Sequence, residues 1–256
     1  MSSIVGIPAF NDNYIWLLQN RDGSAWVVDP GDAAPVEKAL AERKLSLAGI
    51  LITHHHFDHV GGLKALKKKH ACTVYGPPNP SIEGIDRVLV EGDHVRVGDY
   101  AFEIISVPGH TLDHIAYYQA GENPAVFCGD TLFAGGCGRI FEGDPPMMYE
   151  SLSKLAALPA ATAVYCAHEY TLANLAFARA ADPSNLDLKE REINARALRA
   201  AGESTVPSTI GVELATNPFL RSADPHLALG LASEGRESGA DPVEVFAGLR
   251  AWKDQF

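Results

Sequence analysis

Four of the ten histidines in this 256-residue chain fall within residues 53–59, which read THHHFDH. Imidazole nitrogen and carboxylate oxygen, without thiolate, are donors typical of zinc, iron and manganese sites. The segment follows the apolar residues 48–52, so a buried strand would deliver these side chains to one point. A solvated histidine-rich loop is the alternative, but the defined spacing His-x-His-x-Asp-His favours a metal site.

Three further apolar runs end in a residue of the same kind. Residues 102–109 lead into His110, residues 125–129 into Asp130, and residues 163–167 into His168. One such strand end is usually structural, but four in one chain give a joint signal if the strands end at one sheet edge. The candidate ligands are His54, His56, Asp58, His59, His110, Asp130 and His168. A catalytic zinc takes about three protein ligands, so this set fits two ions that share a carboxylate.

Short strands alternating with helices must position these ligands. The predicted strands are residues 14–18, 25–28, 48–53, 73–75, a stretch near 95, 101–107, 115–118, 125–128 and 163–166. The predicted helices are residues 35–44, 62–70, 147–158, 171–180, 187–201 and 241–252. The pattern predicts an α/β (α+β) fold with a domain boundary near residue 168, after which the chain is mainly helical.

Composition and charge narrow the class of protein. A net charge of −11 and a pI of about 5.3 disfavour a nucleic-acid binder or an anionic membrane surface. The first residues lack the basic and apolar regions of a signal peptide, and no run approaches 18 apolar residues. The cysteines Cys72, Cys128, Cys137 and Cys166 form no Cys-x-x-Cys motif and are expected to be reduced. We therefore expect a cytoplasmic protein that binds neither membranes nor nucleic acids.

Several motifs together resemble a known family. THHHFDH with the downstream pairs Gly-His110, Gly-Asp130 and Ala-His168 resembles the metallo-β-lactamase superfamily. FNDNY (10–14), CGRIFEG (137–143), AHEYTLANLAFA (167–178), NPFLR (217–221) and LRAWKDQF (249–256) resemble the glyoxalase II, or hydroxyacylglutathione hydrolase, family over essentially the whole chain. This resemblance implies a four-layer αβ/βα sandwich as catalytic domain (1–168) and a C-terminal all-helical, glutathione-binding domain (169–256).

The resemblance also implies how the ligands are divided between two divalent ions per chain, with Zn²⁺ expected and iron or manganese as alternatives. One ion would take His54, His56 and His110, the other Asp58, His59 and His168, and Asp130 would bridge them. Three neighbouring residues are left without an implied ligand role. His55 would be structural or exposed, and His114 would be packed or hold a ligand in place. Asp29 would either orient a ligand imidazole or only serve the turn Asp-Pro-Gly.

The implied reaction is hydrolysis of S-(2-hydroxyacyl)glutathione thioesters, such as S-D-lactoylglutathione to D-lactate and glutathione, in methylglyoxal detoxification. A hydroxide held by both metals would attack the thioester carbonyl, with Asp58 and Asp130 as the catalytic carboxylates. The implied substrate-binding residues are Arg139, Phe141, Tyr170, Arg250 and Lys253. Phe141 lacks the hydroxyl that some relatives carry there. Asp113, where relatives often have a small residue, is expected to be peripheral.

Other functions remain open at this point. A lactamase, a lactonase or a one-iron persulfide dioxygenase would share the histidine motif, but would lack the helical tail with Arg250 and Lys253. A nuclease is disfavoured by the acidic charge. A metal-binding scaffold without activity is disfavoured by the complete ligand set. The expected partner is a glutathione thioester, and the expected oligomeric state is a monomer.

Overall fold

The computed structural model of the chain describes residues 2–236, 239 and 241–256, and it divides into two compact units. The first unit comprises Met1–Ser106 and Asp113–Gly129, and the second comprises Val107–Leu112 and Asp130–Phe256. These divisions fall at other points than residue 168, so the predicted domain boundary there stays a prediction.

The first unit contains a sheet with the strand order β1-β2-β3-β4-β5-β6. Pairings from β1 to β3 are antiparallel, and those from β3 to β6 are parallel. The strands are β1 (Ser3–Ala9), β2 (Asn13–Gln19), β3 (Ser24–Val28), β4 (Ser46–Leu51), β5 (Thr73–Gly76) and β6 (Arg87–Val88). The helices of this unit are α1 (Ala33–Arg43), α2 (Phe57–Val60) and α3 (Leu63–His70).

Burial explains why the parallel strand β4 can carry a polar segment at its end. Ile50, Leu51 and Ile52 are fully buried, and Ile50 and Ile52 pack in a core cluster with Val36 of α1 and Leu66 of α3. Helices covering a parallel sheet are the usual way of burying it. The histidine segment therefore follows directly on buried residues. Their packing fixes the position of its first residues.

The second sheet runs β10-β9-β8-β7 within the first unit, and all of these pairings are antiparallel. Its strands are β7 (His94–Val97), β8 (Tyr100–Ser106), β9 (Ile115–Gln119) and β10 (Ala125–Gly129). Tyr117 is fully buried, and its hydroxyl donates to the Ile52 carbonyl at 2.7 Å. A buried phenol needs such a partner. The bond therefore joins the second sheet to the end of β4.

The second unit is mainly helical. Its strands are β11 (Leu132–Phe133), β12 (Gly136–Cys137), β13 (Ala163–Cys166) and β14 (Ser208–Thr209). Its helices are α4 (Pro145–Ala156), α5 (Thr171–Ala181), α6 (Leu186–Ala200), α7 (Ile210–Thr216), α8 (Pro225–Ser233) and α9 (Pro242–Lys253). Side chains of Asp144, Asn185, Asp224 and Asp241 cap α4, α6, α8 and α9. The rings of Phe177, Phe219, Phe246 and Trp252 form an aromatic core.

The structure contains elements that the pattern of the sequence did not predict. Strand β1 was missed because Gly6 and Pro8 interrupt its apolar run, and proline is tolerated at a sheet edge. Helix α2 has four residues, too few to show a helical period. Helix α7 lies in a Ser-, Thr- and Pro-rich stretch that predicted irregular chain, and α8 was missed because it has little polar face. Among the described residues, no helix is both long and apolar enough to span a bilayer.

Candidate metal centre

The histidine segment of the first unit follows the end of β4 and continues into helix α2, which contains Asp58 and His59. His54 and His59 are fully buried, whereas His56 and Asp58 are half-buried. The ring centroid of His54 lies 4.0 Å from that of His59 and 4.8 Å from that of His56. Phe57, in the same segment, is 75% exposed. The segment thus brings its imidazoles together and turns the intervening aromatic side chain outward.

Asp29, which is buried at the end of β3, orients one of these imidazoles directly and another through Thr53. Its Oδ1 accepts from the Thr53 backbone N–H, and its Oδ2 accepts from the Thr53 hydroxyl, both at 2.7 Å. The same Oδ2 lies 3.1 Å from Nδ1 of His59, and the Thr53 hydroxyl lies 3.0 Å from Nδ1 of His54.

This network determines which nitrogen of each ring can bind a metal. An ionised carboxylate only accepts hydrogen bonds, so Nδ1 of His59 must donate to Asp29. The Thr53 hydroxyl gives its one proton to Asp29 and therefore accepts from Nδ1 of His54. In both rings the lone pair is then on Nε2, the arrangement usual for metal-bound histidine. Asp29 also has the left-handed φ of +52°, so it serves the turn and orients imidazoles at the same time.

Asp58 is positioned by a residue for which the sequence suggested no role. Its Oδ2 accepts from Nδ2 of Asn13 at 2.9 Å and lies 3.5 Å from Nε2 of His59. Asn13 is buried, at the start of β2. The motif FNDNY contains this residue, and it was the only signal that could have drawn attention to it.

His55, within the segment, and His114, which packs against it, both interact with other protein groups. Nδ1 of His55 lies 3.0 Å from Oδ1 of Asp113, whose Oδ2 accepts from Nδ2 of Asn79 at 2.8 Å. The Asp113 side chain is only 8% exposed, so it lies further inside than the expected peripheral position. The His114 ring stacks on His54 at 4.5 Å between centroids, and its Nδ1 donates to the Ile115 carbonyl.

The second unit contains its own group of candidate ligands, His110, Asp130 and His168, all of them buried. Nε2 of His110 lies 3.3 Å from Oδ2 of Asp130, and Nε2 of His168 lies 3.3 Å from Oδ1 of Asp130. Nδ1 of His110 donates to the Arg139 carbonyl at 2.7 Å. That hydrogen bond puts the lone pair of His110 on Nε2, facing the carboxylate.

The distances between these nitrogen and oxygen atoms agree with those between neighbouring ligands of one metal ion. Around a tetrahedral zinc with bonds of about 2.0–2.1 Å, neighbouring ligand atoms lie about 3.3–3.4 Å apart. Each oxygen of Asp130 has this spacing to a different imidazole, as a carboxylate shared by two ions would.

Glycine at position 138 is needed for the close approach of this loop. A Cβ at Gly138 would lie 1.9 Å from the Asp130 carbonyl oxygen and 3.1 Å from Nδ1 of His110. The backbone N–H of Gly138 also donates to the Thr131 carbonyl at 3.1 Å. Any side chain here would push the loop away from His110 and Asp130.

The predicted cations of the second unit surround the end of α9. Arg250 is buried, donates from one terminal nitrogen to the Cys137 carbonyl at 3.0 Å, and stacks over Phe219. Its other terminal nitrogen donates to Oδ1 of Asp254 at 2.8 Å. Nε of Arg139 donates to the same oxygen at 3.2 Å. Asp254 was not among the predicted residues, although it lies within the motif LRAWKDQF.

Lys253 and the two predicted aromatic residues complete this group. The Lys253 ammonium donates to the Ala173 carbonyl at 3.3 Å, and burial, followed by the Arg250 charge, lowers the pKa of Lys253. Tyr170 stacks on the His168 ring with 4.6 Å between centroids. Phe141 is 61% exposed and meets the His110 ring edge to face at 5.3 Å. Both aromatic side chains therefore contact candidate ligands.

Comparison with known proteins identifies the class to which this fold and these ligands belong. Residues 10–168 match the model of the metallo-beta-lactamase superfamily. A solved structure of ETHE1 from Myxococcus xanthus is similar at 25% identity and a TM-score of 0.67, with 99% of this chain and 98% of that chain covered. TTHA1623, solved in a di-iron-bound form, is similar at 26% identity and a TM-score of 0.60, covering 85% of this chain and all of the other. The predicted α/β fold class with its C-terminal helical segment is confirmed.

The particular family follows from the rest of the chain. Residues 169–256 match the model described as hydroxyacylglutathione hydrolase C-terminus. A Pseudomonas aeruginosa protein named hydroxyacylglutathione hydrolase is 54% identical over 258 residues, with both chains fully covered. The chain belongs to the hydroxyacylglutathione hydrolase family. The resemblance seen in the sequence is thereby confirmed.

Proposed function

We propose that this protein is a thioester hydrolase that converts S-(2-hydroxyacyl)glutathione to glutathione and a 2-hydroxy acid, with S-D-lactoylglutathione as the substrate and D-lactate as the product. This is the second step of methylglyoxal detoxification. The observation that carries the proposal is the match of residues 169–256 to the C-terminal model of this family, in addition to the superfamily match of residues 10–168. A full-length relative at 54% identity bears the corresponding name.

The proposal includes two divalent ions, Zn²⁺ first and iron or manganese as alternatives. We assign His54, His56 and His110 to one ion and Asp58, His59 and His168 to the other, with Asp130 shared. The buried imidazoles turned by Asp29, Thr53 and the Arg139 carbonyl support this assignment, as does the spacing around Asp130. When bound, such ions lower the pKa of water to about 7, supply hydroxide and stabilise negative charge on a carbonyl oxygen.

The protein's own residues then have distinct tasks. Asp58, held by Asn13, orients the nucleophile and accepts its proton. Asp130, which lies between His110 and His168, would supply the carboxylate that both ions share. The leaving group is a thiolate, whose conjugate acid has a pKa of about 8.5, so the reaction needs no dedicated general acid.

Substrate recognition is assigned to the second unit. Arg139, Arg250 and Lys253 offer positive charge to the carboxylates of glutathione, which a protein of net charge −11 would otherwise repel. Tyr170 offers a hydroxyl, and Phe141 offers apolar surface only. We propose residues 1–168 as the catalytic domain and residues 169–256 as the glutathione-binding domain of a cytoplasmic monomer that binds neither membranes nor nucleic acids.

The test is hydrolysis of S-D-lactoylglutathione, followed by loss of thioester absorbance, with the metal content of the same sample measured by mass spectrometry. We expect turnover that chelation abolishes and about two metals per chain. D-lactoyl-N-acetylcysteamine, which has the same thioester without the glutathione charges, is the matched control and should be hydrolysed far more slowly. A fully metallated protein that hydrolyses neither compound, but acts on a persulfide or a lactone, would overturn the substrate assignment.

The role of Asp130 is tested in the same assay. Replacing Asp130→Ala removes the carboxylate that lies between two imidazoles, so both metal content and kcat should fall. Unchanged metal stoichiometry in this variant would contradict the sharing of Asp130 by two ions.

A further inference from the structure

Asp254 lies where two of the assigned substrate cations meet. Its Oδ1 accepts from a terminal nitrogen of Arg250 at 2.8 Å and from Nε of Arg139 at 3.2 Å. Lys253 is its neighbour in the chain, and the charge of Asp254 acts on the Lys253 ammonium, raising its pKa against the larger effect of burial. One carboxylate therefore interacts with all three cations that the proposed function assigns to glutathione.

The position of Asp254 on its helix is unfavourable without those cations. Asp254 is the C-cap of α9, and its N–H donates to the Arg250 carbonyl at 3.0 Å. A negative charge at a helix C-terminus opposes the helix dipole. Arg250 and Arg139 offset this repulsion, so the carboxylate is held by the same guanidinium groups that would bind an anionic ligand.

Asp254 already engages one of the two terminal nitrogens through which Arg250 can meet a ligand. One terminal nitrogen donates to the Cys137 carbonyl, the other donates to Asp254, and the buried Nε has no hydrogen-bond partner within the described part of the chain. Arginine binds carboxylates best through two parallel N–H groups. Asp254 thus occupies the terminal nitrogen that, together with Nε, could form such a pair with a carboxylate from solution.

We propose that Asp254 is an internal counter-ion that competes with the substrate carboxylate for Arg139 and Arg250 and so sets the affinity for glutathione and its thioesters. The inference rests on the proposed function, because it assumes that these cations bind the glutathione part of the substrate. Asp254 contacts neither the candidate ligands nor the reacting atoms in this scheme. Its effect should therefore be on Kd and KM and not on the chemical step.

The test is Asp254→Asn in the metal-loaded protein. Asparagine keeps a hydrogen-bond acceptor at the same place but removes the negative charge, so Arg139 and Arg250 stay oriented while competition is lost. We expect glutathione to bind about three- to tenfold more tightly by calorimetry, the range that one or two partly exposed ion pairs provide. KM for S-D-lactoylglutathione should fall by the same factor, with kcat unchanged.

Two controls separate local charge from other effects. Asp254→Glu keeps the charge and should bind glutathione like the unmodified protein. Glu190→Gln removes one exposed negative charge from α6 of the same unit and should change Kd little. Salt should weaken glutathione binding more steeply in Asp254→Asn than in the unmodified protein. In the variant, the arginines interact with the glutathione carboxylate without competition from Asp254.

The outcomes distinguish this inference from the proposed function. Equal or weaker glutathione binding by Asp254→Asn, with thioester hydrolysis intact in the unmodified protein, would show that Asp254 only organises the arginines, and the counter-ion role would be wrong. Tighter binding by Asp254→Asn alone would support it. An unmodified protein that neither binds glutathione nor hydrolyses its thioester would overturn both.

Discussion

Replacing Asp29 by asparagine should lower the affinity for metal, although none of the proposed ligands is replaced. The buried carboxylate accepts three hydrogen bonds, two from Thr53 and one from His59. Asparagine has nearly the same shape and tolerates the left-handed φ of +52° at this position. It can still accept from the Thr53 N–H, but its amide group would face the Thr53 hydroxyl and Nδ1 of His59.

The consequence is a change of tautomer. Facing an N–H donor, His59 would place its proton on Nε2 and accept at Nδ1, which removes the lone pair a metal needs. Loss of a partner that orients a metal ligand typically weakens metal affinity by 10- to 100-fold, about 1.4–2.7 kcal/mol. Mispaired buried donors should also lower the free energy of unfolding by about 1–3 kcal/mol.

Competition with a metal chelator measures the metal dissociation constants, and mass spectrometry gives the metals per chain. Thr53→Val is the companion variant, because it interrupts the link from Asp29 to His54 and spares the contact with His59. We expect it to weaken one ion and Asp29→Asn to weaken both. Asp99→Asn, which removes a partner of Arg21 in the same unit, should leave metal binding unchanged. Metal affinity in Asp29→Asn equal to that of the unmodified protein would refute the tautomer argument.

Three further predictions concern the second unit. Glu213 is a fully buried carboxylate that accepts hydrogen bonds from four groups, including an arginine. Glu213→Gln should therefore lower the free energy of unfolding by about 3–5 kcal/mol in urea titrations. Glu190→Gln is the exposed control. Burial raises the pKa of Cys137 to about 11 and of Cys166 to about 12, so iodoacetamide at about pH 8 should label neither thiol before unfolding. Burial lowers the pKa of Lys253, so the side chain loses its charge below the usual lysine pKa of about 10.4, and KM should begin to rise there as the pH increases. Lys253→Arg should abolish that rise, because arginine keeps its charge. An identical pH profile in both proteins would contradict the role of Lys253.

The strands that carry candidate ligands were predictable from local pattern. Strand β4 ends at Leu51, two residues before Thr53, and β10 ends at Gly129, next to Asp130, close to where their apolar runs indicated. Helices α7 and α8 were not predictable in the same way, since the first is a seven-residue helix within a Ser-, Thr- and Pro-rich stretch and the second has little polar face. They form because tertiary packing buries Ile210, Leu227 and Leu231, and packing overrides weak local preference.

Residue type and spacing in the sequence determined the donor chemistry, the fold class and the family, because a metal-binding strand end and the motifs of a family are local strings. The tertiary structure decided which partners hold those donors. Asn13 reaches Asp58 across 45 positions, and Asp29 reaches His59 across 30. Arg139 meets Asp254 across 115. Such contacts depend on how distant strands and helices pack, which no local pattern encodes.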